Sequence, residues 1–220
     1  MKQVFKNIGA KIIGEMPEEC YLEGGDYFVA HTDLSMLGVG LRTNINAANY
    51  LMKKNLLGTR FMAICYDEND RDQQRMHLDT YFNILNDKYV ICLDFEEAGK
   101  ITKKKLERKV YLYDNATDQN INSDKEEVKE VIGEYKLIKI FEKFYDFLKF
   151  EKFEVIKVTH QQQVDYIINF LNIGNNTIIS VNKDLREITQ HTGVKVDYID
   201  FTAVLKMYGA MHCMTQVSRK

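Results

Sequence analysis

The chain has 220 residues, which is enough for one domain with a sizeable core. Its formal net charge of −2 gives no reason to expect nucleic acid or a membrane surface as a partner. The four cysteines are widely separated and form no CxxC pair, which argues against a zinc knuckle and against a disulfide framework. No N-terminal run resembles a signal peptide and no stretch is long enough to span a membrane, so the predicted compartment is the cytoplasm.

The first part of the chain predicts two strands, a helix and a third strand. Thr43 is of a residue type that caps helices, and apolar residues follow it at helical spacing. The predicted elements are the strand 26–30, the turn 31–33, the strand 36–40, the helix 43–55 and the strand 60–65.

The same order of elements recurs twice along the chain. The second set comprises the strands 80–85 and 89–93, a helix, the strand 110–113, the helix 134–148 and the strand 153–158. The third set comprises the strand 166–171, the turn 174–176, the strand 177–181, the helix 184–191 and the strand 194–200. The prediction is an α/β fold, a single portion 1–220 of about three ββαβ units with approximate bounds 1–66, 67–160 and 161–220.

Between these elements, the densest basic stretch of the sequence covers residues 100–109. Its charged residues alternate with apolar ones, a pattern that is more typical of a solvated face than of a binding site. We therefore predict no ligand there.

Two polar clusters lie at the starts of the first and second sets. In the first, Glu23 and Asp26 flank two glycines, which allow close approach of the backbone and hence a crowded site. Taken alone, this pattern is more typical of a turn with two solvated acids. In the second, His77 and Asp79 are predicted to share one face of a strand, about 7 Å apart, where they suit proton transfer beside a bound cation. A satisfied surface histidine is the commoner explanation of such a motif alone.

The third cluster surrounds Cys213 near the C-terminus. A cysteine in a glycine-containing loop after the last strand is well placed to be an exposed nucleophile, and the alternative is a small buried hydrophobe. Cys20, Cys65 and Cys92 lack polar neighbours in sequence, and Cys65 and Cys92 are predicted to lie in the core. No HExxH, P-loop or complete dinucleotide motif occurs, so neither a metal nor a nucleotide cofactor is predicted.

Taken together and in this order, the clusters resemble the arginine deiminase type of the guanidino-group modifying superfamily, also called penteins. The resemblance is carried by four motifs, E-G-G-D, G-V-G-L-R-T-N, M-H-L-D-T and G-A-M-H-C-M-T-Q. It implies a five-bladed α/β propeller of ββαβ units around a central active site. This chain would then be a partial propeller.

The resemblance implies a role for each motif. Cys213 corresponds to the nucleophile and His77 to the general acid and base. Glu23 corresponds to the carboxylate that handles the guanidinium protons beside that histidine. Asp79 corresponds to the aspartate that binds the guanidinium, and Arg42 to a residue that pairs with the α-carboxylate of the substrate.

The implied reaction is hydrolysis of arginine or a related guanidino compound to a ureido product and ammonia. Thiolate Cys213 attacks the guanidinium carbon, His77 protonates the departing nitrogen, and water releases the product from a covalent thiouronium. Asp26, the second carboxylate of E-G-G-D, is counted with the substrate-binding residues. The expected ligand is a small guanidino molecule, and no cofactor is expected.

Two departures from the family pattern leave alternatives open. The N-terminal half of the family supplies another guanidinium-binding aspartate and another arginine, and no matching motif occurs here. Either the chain is truncated, or a homo-oligomer or a separate chain with the missing N-terminal blades completes the site, or the chain is a catalytically incomplete binding or assembly subunit. His212 stands where arginine deiminases usually carry arginine. The resulting H-C pair is similar to agmatine deiminases and amidinotransferases, so an amidinotransferase is the alternative enzyme, although Glu23 favours a hydrolase.

Overall fold

The structure, a computed structural model, describes residues 2–115, 131–205 and 209–215, and its fold is mixed α/β. The strands in these residues are β1 (Tyr27–His31), β2 (Leu34–Val39), β3 (Phe61–Tyr66), β4 (Phe82–Ile84), β5 (Tyr89–Leu93), β6 (Lys109–Asp114), β7 (Val131–Ile132), β8 (Tyr135–Phe141), β9 (Glu154–Val158), β10 (Leu171–Gly174), β11 (Thr177–Ser180) and β12 (Lys195–Tyr198). The α-helices are α1 (Lys2–Asn7), α2 (Ile45–Lys53), α3 (Phe95–Thr102), α4 (Phe144–Phe150), α5 (His160–Val164), α6 (Leu185–Ile188) and α7 (Thr202–Leu205).

Three sheets share one pattern of strand pairing. In the first sheet β1 is antiparallel to β2, and β2 is parallel to β3. The second repeats this pattern with β4, β5 and β9, and the third with β10, β11 and β12. This pairing is the one that a ββαβ order produces, because a parallel strand requires a crossover connection. The arrangement of the units around a propeller axis and their bounds 1–66, 67–160 and 161–220 stay predictions.

The segment between β5 and β9 extends the first sheet rather than the second. β6 pairs with β3, β8 with β6 and β7 with β8, all antiparallel. The first sheet thus has six strands in the order β1-β2-β3-β6-β8-β7. The edge of β3 is therefore covered by a segment that lies some forty residues later in the sequence.

One hydrophobic core contacts all three sheets. Met36 of the first sheet, Phe82 of the second and Ile178 of the third are all fully buried in the same cluster. Phe144 of α4 packs edge-on against Phe82, with ring centroids 5.3 Å apart. Since the three sheets share this core, the loops that begin β1 and β4 have fixed positions relative to each other.

The predicted helix 134–148 is wrong in its first half. Residues 135–141 form β8, and the helix α4 begins only at Phe144. Leu137 and Phe141 are four residues apart, a spacing that puts two side chains on one face of a helix and also on one face of a strand. Backbone pairing with β6 decides between the two, and the sequence does not display it.

The predicted strand 166–171 is also wrong, since β10 begins only at Leu171. Ile168 and Phe170 are buried in the core, but the Asn83 side chain binds both their carbonyl groups in place of a sheet ladder. The turn predicted at 174–176 is confirmed. Asn175 and Asn176 both have positive φ, as a two-residue type I′ hairpin turn requires.

The basic stretch 100–109 is not solvated throughout, contrary to the prediction. Arg108 is fully buried and lies 3.1 Å from Asp67 and 3.3 Å from Asp70. Its guanidinium also lies over the ring of Tyr81, 5.0 Å from the centroid. Composition alone conceals such a residue, because the same stretch contains the exposed lysines 103–105.

The strand cysteines Cys65 and Cys92 are fully buried, which confirms their predicted place in the core. Over the residues that the structure describes, no helix combines the length and the apolar character needed to cross a membrane.

Candidate active site

The E-G-G-D motif forms a short 3-10 turn over Gly24–Asp26, directly before β1. A Cβ atom on Gly25 would lie 2.8 Å from Asp79 Oδ2, closer than real Cβ contacts allow. A Cβ atom on Gly24 would meet nothing within 4 Å. The predicted close approach of backbone therefore occurs at Gly25, where the missing side chain leaves room for the carboxylate of Asp79.

We expect Gly25→Ala to reduce the free energy of unfolding by about 1–3 kcal/mol, because overpacking a filled space displaces its neighbours. Gly24→Ala is the matched control and should change it by less than about 0.5 kcal/mol. Urea denaturation of both variants measures the difference. Equal stability of the two variants would show that Gly25 does not make room for Asp79.

His77 and Asp79 do not lie on a strand, contrary to the prediction. Leu78–Thr80 forms a 3-10 turn, and His77 is the extended residue before it. The Leu78 amide donates a hydrogen bond to Asp26 Oδ1 over 2.8 Å, so it is not available to a sheet ladder. This bond joins the M-H-L-D-T segment to the E-G-G-D turn although 52 residues separate them in sequence.

Glu23 binds a histidine with one carboxylate oxygen and an arginine with the other. His77 Nε2 lies 2.6 Å from Glu23 Oε2, and Arg42 Nη2 lies 2.7 Å from Glu23 Oε1. An ionised carboxylate only accepts hydrogen bonds, so His77 Nε2 carries the proton in this pair. Partial burial opposes ionisation of Glu23, but the bonds from Arg42 and His77 outweigh it and lower its pKa below the usual value.

Residues after β2 hold Glu23 from the backbone side. The Glu23 amide donates to Thr43 Oγ1 over 3.1 Å. Thr43 was the predicted helix cap, but the cap is Asn44, whose side chain accepts from the Ala47 amide over 3.0 Å. The shift of one residue leaves Thr43 for the site, and both residue types are common at helix caps.

Cys213 lies in the loop after α7 and contacts two side chains from distant parts of the chain. Its Sγ is 3.4 Å from Asp79 Oδ2 and 3.1 Å from Asn169 Nδ2. The Cys213 amide donates to Asn169 Oδ1 over 3.3 Å, so Asn169 fixes both the backbone and the sulfur. Residue Cys213 as a whole is exposed, as predicted. Sequence reasoning missed Asn169, which follows an apolar run and belongs to no polar cluster.

His212 is a second residue whose contacts were not predicted. Its Nδ1 lies 2.9 Å from Asp79 Oδ2, and its ring stacks on Phe28 with centroids 5.0 Å apart and planes 10° from parallel. The neighbouring Cys213 reaches the same carboxylate oxygen. The sequence marked His212 only as the residue before Cys213, at a position where arginine deiminases usually carry arginine. That signal did not predict its contacts with Asp79 and Phe28.

The structure thus connects five of the six predicted site residues side by side. The series of contacts runs from Arg42 through Glu23 and His77 to Asp79 and Cys213, and its longest step is the 4.0 Å between His77 Nδ1 and Asp79 Oδ1. Their catalytic and substrate-binding roles stay predictions.

Asp26, the sixth predicted residue, lies beneath the others. Its side chain is almost completely buried and binds the Leu78 amide. Burial raises the pKa of Asp26 to about 7, against hydrogen bonds from Thr43 and Leu78 that lower it. Its contact with substrate stays a prediction, whereas its bond to Leu78 holds two motifs together.

The raised pKa of Asp26 predicts a pH dependence of stability. The folded protein binds this proton more tightly than the unfolded chain, so the contribution is complete below the unfolded pKa of 3.8 and is lost as pH rises to about 7. Relative to wild type, we expect Asp26→Asn to gain on the order of 4 kcal/mol in free energy of unfolding between about pH 4 and about pH 8. Asp33→Asn, at an exposed acid, is the control. Parallel pH profiles for all three proteins in chemical denaturation would contradict the prediction.

A cavity of about 250 Å³ opens beside Cys213. It is lined by Gln73, Gln74, Thr80, Gln163, Val164, Tyr166, Asn169 and Cys213. All these side chains are uncharged types. The charged groups Glu23, His77 and Arg42 lie outside this lining. Across the described residues, no three His, Cys, Asp or Glu side chains are grouped so that they could hold a metal ion.

The sequence of this chain is similar to arginine deiminases over almost its whole length. The sequence profile of the arginine deiminase family matches residues 2–219. Arginine deiminase of Borreliella burgdorferi (strain ZS7) is 25% identical over 204 residues, which make up 90% of this chain and 46% of that protein. The chain therefore spans about half the length of the curated relatives it matches.

Solved structures with related folds belong to several guanidino-modifying enzymes. ArgZ, an arginine dihydrolase from the ornithine-ammonia cycle in cyanobacteria, gives a TM-score of 0.62 at 20% identity, covering 96% of this chain and 26% of that chain. DDAH from Pseudomonas aeruginosa, a Cys→Ser mutant complexed with citrulline, gives 0.56 at 14% identity, covering 94% and 62%. SxtG, an amidinotransferase from Microseira wollei, gives 0.55 at 13% identity, covering 96% and 58%. At these identities the likeness establishes the fold, with neighbours in the pentein superfamily.

Proposed function

The chain belongs to the arginine deiminase family, and from this premise we propose that it is a hydrolase that attacks the guanidinium carbon of arginine or a related guanidino compound. Cys213 is the nucleophile, His77 the general acid and base, and Glu23 the carboxylate beside His77. Asp79 binds the guanidinium. The products are a ureido compound and ammonia.

One observation carries this proposal: a fully buried carboxylate lies directly beside the sulfur. Asp79 Oδ2 is 3.4 Å from Cys213 Sγ, so a planar cation bound to Asp79 would lie with its carbon next to the nucleophile. The pair of His77 and Glu23 lies on the other side of the same carboxylate. Cation binding, nucleophile and proton transfer are therefore adjacent.

The electrostatics of the site favour activation of the thiol by the substrate. Residue Cys213 is exposed as a whole, but its sulfur lies against Asp79 and Asn169. Desolvation of the thiol first, and then the negative charge of Asp79, raise the pKa of Cys213 to about 12. A thiol with this pKa is a poor nucleophile near neutral pH, because only the thiolate attacks. A guanidinium cation bound to Asp79 offsets its negative charge and so lowers the thiol pKa in the complex.

The reaction then proceeds in two halves. The Cys213 thiolate adds to the guanidinium carbon, and one C–N bond breaks as His77 gives a proton to the departing ammonia. This leaves a covalent thiouronium that retains the rest of the substrate. His77 next removes a proton from water, whose oxygen displaces the sulfur and gives the ureido product.

Arg42 takes part in the proposal as the residue that pairs with the α-carboxylate of the substrate. Before binding, its guanidinium is paired with Glu23. An incoming carboxylate would compete with Glu23 for Arg42, so substrate binding would free one oxygen of Glu23 for the guanidinium protons.

We propose that full activity involves groups outside this chain, because the chain spans 46% of its curated relative. They are supplied by a further part of a longer polypeptide, by a separate polypeptide or by a second copy of the chain. The test is sedimentation of the purified chain together with release of citrulline and ammonia from arginine. We expect weak turnover by the chain alone, and robust turnover by a monomer would contradict this part of the proposal.

Turnover of guanidino compounds tests the proposed reaction itself. L-arginine, agmatine and methylated arginines are incubated with the chain, and ammonia, ureido products and free amines are quantified. From L-arginine or agmatine, a deiminase releases ammonia in equal amount to the ureido product, and from a methylated arginine the departing group is ammonia or the methylated amine. An amidinotransferase forms no ureido product, releases the amine of the donor's tail and needs an acceptor amine. The chain could instead bind a guanidino compound and form neither a ureido product nor a free amine. If this result persisted after the N-terminal blades were supplied, it would favour a non-catalytic subunit.

A further inference from the structure

Asp79 is a fully buried carboxylate whose ion-pair partners, in the part of the chain that the structure describes, are two histidines. His212 Nδ1 lies 2.9 Å from Asp79 Oδ2, at hydrogen-bond distance. His77 Nδ1 is 4.0 Å from Asp79 Oδ1, and the other ring nitrogen of His77 is bound to Glu23. A buried carboxylate without a counter-charge is costly. His212 is the residue in the best position to supply that charge.

The surroundings of His212 fix its ring while leaving it in contact with water. The ring lies flat on Phe28, a buried residue of β1, with planes only 10° apart. This stack and the bond to Asp79 together define the orientation of the ring. The side chain is still 23% exposed, so its proton can exchange with solvent.

Asp79 Oδ2 is shared between His212 and Cys213. The sulfur lies 3.4 Å from this oxygen and the imidazole nitrogen 2.9 Å from it. A full negative charge on Asp79 opposes formation of a thiolate at Cys213. A proton on His212, at the other side of the same oxygen, offsets that charge.

We propose that His212 is a positioning residue that acts through Asp79, supplying a positive charge that offsets part of the negative charge beside the Cys213 sulfur before a cationic substrate arrives. The inference rests on the proposed function, because it concerns the nucleophile assigned there. When the guanidinium of the substrate binds Asp79, it replaces His212 as the counter-charge.

Other charged groups near Asp79 do not duplicate this role. Arg42 is paired with Glu23 at 2.7 Å. His77 is bound to the second oxygen of Glu23 at 2.6 Å and lies 4.0 Å from Asp79, so its closer partner is a different carboxylate. Asp26 is itself acidic and interacts unfavourably with Asp79.

A double-mutant cycle on thiol reactivity tests the inference without requiring turnover. The rate of Cys213 alkylation by iodoacetamide, a neutral reagent, is measured by peptide mass spectrometry in the full chain from about pH 6 to about pH 10. The proteins are wild type, His212→Asn, Asp79→Asn and the double variant. Asparagine can still donate a hydrogen bond from the position of Nδ1, but it carries no charge.

We expect His212→Asn to slow alkylation by roughly tenfold below neutral pH, the effect of one unit of thiol pKa. Asp79→Asn should accelerate alkylation. In the Asp79→Asn background, His212→Asn should have little effect, because the charge that His212 offsets is absent. The same slowing in both backgrounds, or none in either, would overturn the inference.

A second variant guards against effects of packing. His212→Phe retains the aromatic ring on Phe28 and removes the hydrogen-bond donor, so it should slow alkylation of Cys213 at least as much as His212→Asn. Wild-type reactivity of His212→Phe would also overturn the inference. If the chain turned over a guanidino compound but the effects of His212→Asn and Asp79→Asn on alkylation were independent, the role of His212 would be refuted and the proposed function would stand. Coupling without turnover or adduct formation would refute the proposed function and leave that role intact.

Discussion

Replacing Cys213 by serine is expected to reduce turnover of the guanidino substrate by roughly 10³-fold or more, while the fold stays intact. A hydroxyl needs a strong base to become a nucleophile, and the group beside Cys213 Sγ is the carboxylate of Asp79 rather than an imidazole. His77 is directed toward Glu23. The serine oxygen would therefore remain protonated.

The measurement is ureido-product release by wild type and Cys213→Ser under identical conditions, including any assembly that completes the site. Cys92→Ser is a useful comparison for the chemistry of thiol loss, because Cys92 is fully buried in the core. It should lower stability without a specific loss of activity per folded molecule. Activity of Cys213→Ser within tenfold of wild type would show that this cysteine is not the nucleophile.

Replacing Arg108 by methionine is expected to reduce the free energy of unfolding by about 3–5 kcal/mol. Arg108 is fully buried, and its guanidinium contacts the carboxylates of Asp67 and Asp70. Methionine fills part of the same space but leaves buried negative charge without that partner. Arg75, bound to Asp70 at 2.6 Å, offsets only one of the two acids.

Lys104→Met is the matched control for this prediction. Lys104 also contacts Asp70, at 3.6 Å, but it is 45% exposed, so its loss should cost at most about 1 kcal/mol. Urea denaturation of both variants gives the two free energies. The double variant Arg108→Met/Asp67→Asn should regain part of the lost free energy of unfolding, because it also removes one of the two buried negative charges. Similar small losses for Arg108→Met and Lys104→Met would show that the buried ion pairs do not stabilise the fold.

The network around Arg108 also concerns the site. The loop that carries Asp67, Asp70 and Arg75 leads directly into His77. A loop held by buried ion pairs has few alternative conformations, so it presents the next turn in one position. Sequence reasoning classified Arg108 with its exposed lysine neighbours, because neither its burial nor its distant partners appear in local composition.

The clusters that sequence reasoning did identify have a common physical basis. Glu23, Asp26, His77 and Asp79 all lie at the starts of predicted strands, and the recurring order of elements predicts that such positions converge. Their contacts agree with that expectation. The glycine pair was informative for the same reason, since Gly25 lies against Asp79. Residue type and order along the chain were sufficient for these features.

Features that sequence reasoning missed depend on contacts between distant segments. Asn169 follows an apolar run and is recognisable only once Cys213 lies against it, 44 residues later in sequence. The strand β8 has helical apolar spacing, and only pairing with β6 makes it a strand. His77 and Asp79 do not lie on the predicted strand, because the Leu78 amide between them donates to the Asp26 carboxylate, 52 residues earlier in the sequence.

The most direct test of the account is the mass of the Cys213 peptide after the chain is mixed with a guanidino compound and quenched in acid. The account predicts an increase equal to the compound less one ammonia, because the thiouronium of a deiminase retains the tail of the substrate. An increase equal to a bare amidine group would instead identify a transferase. If no guanidino compound in the series yields either adduct on Cys213 or any ureido product, the central claim that this cysteine attacks a guanidinium carbon is contradicted.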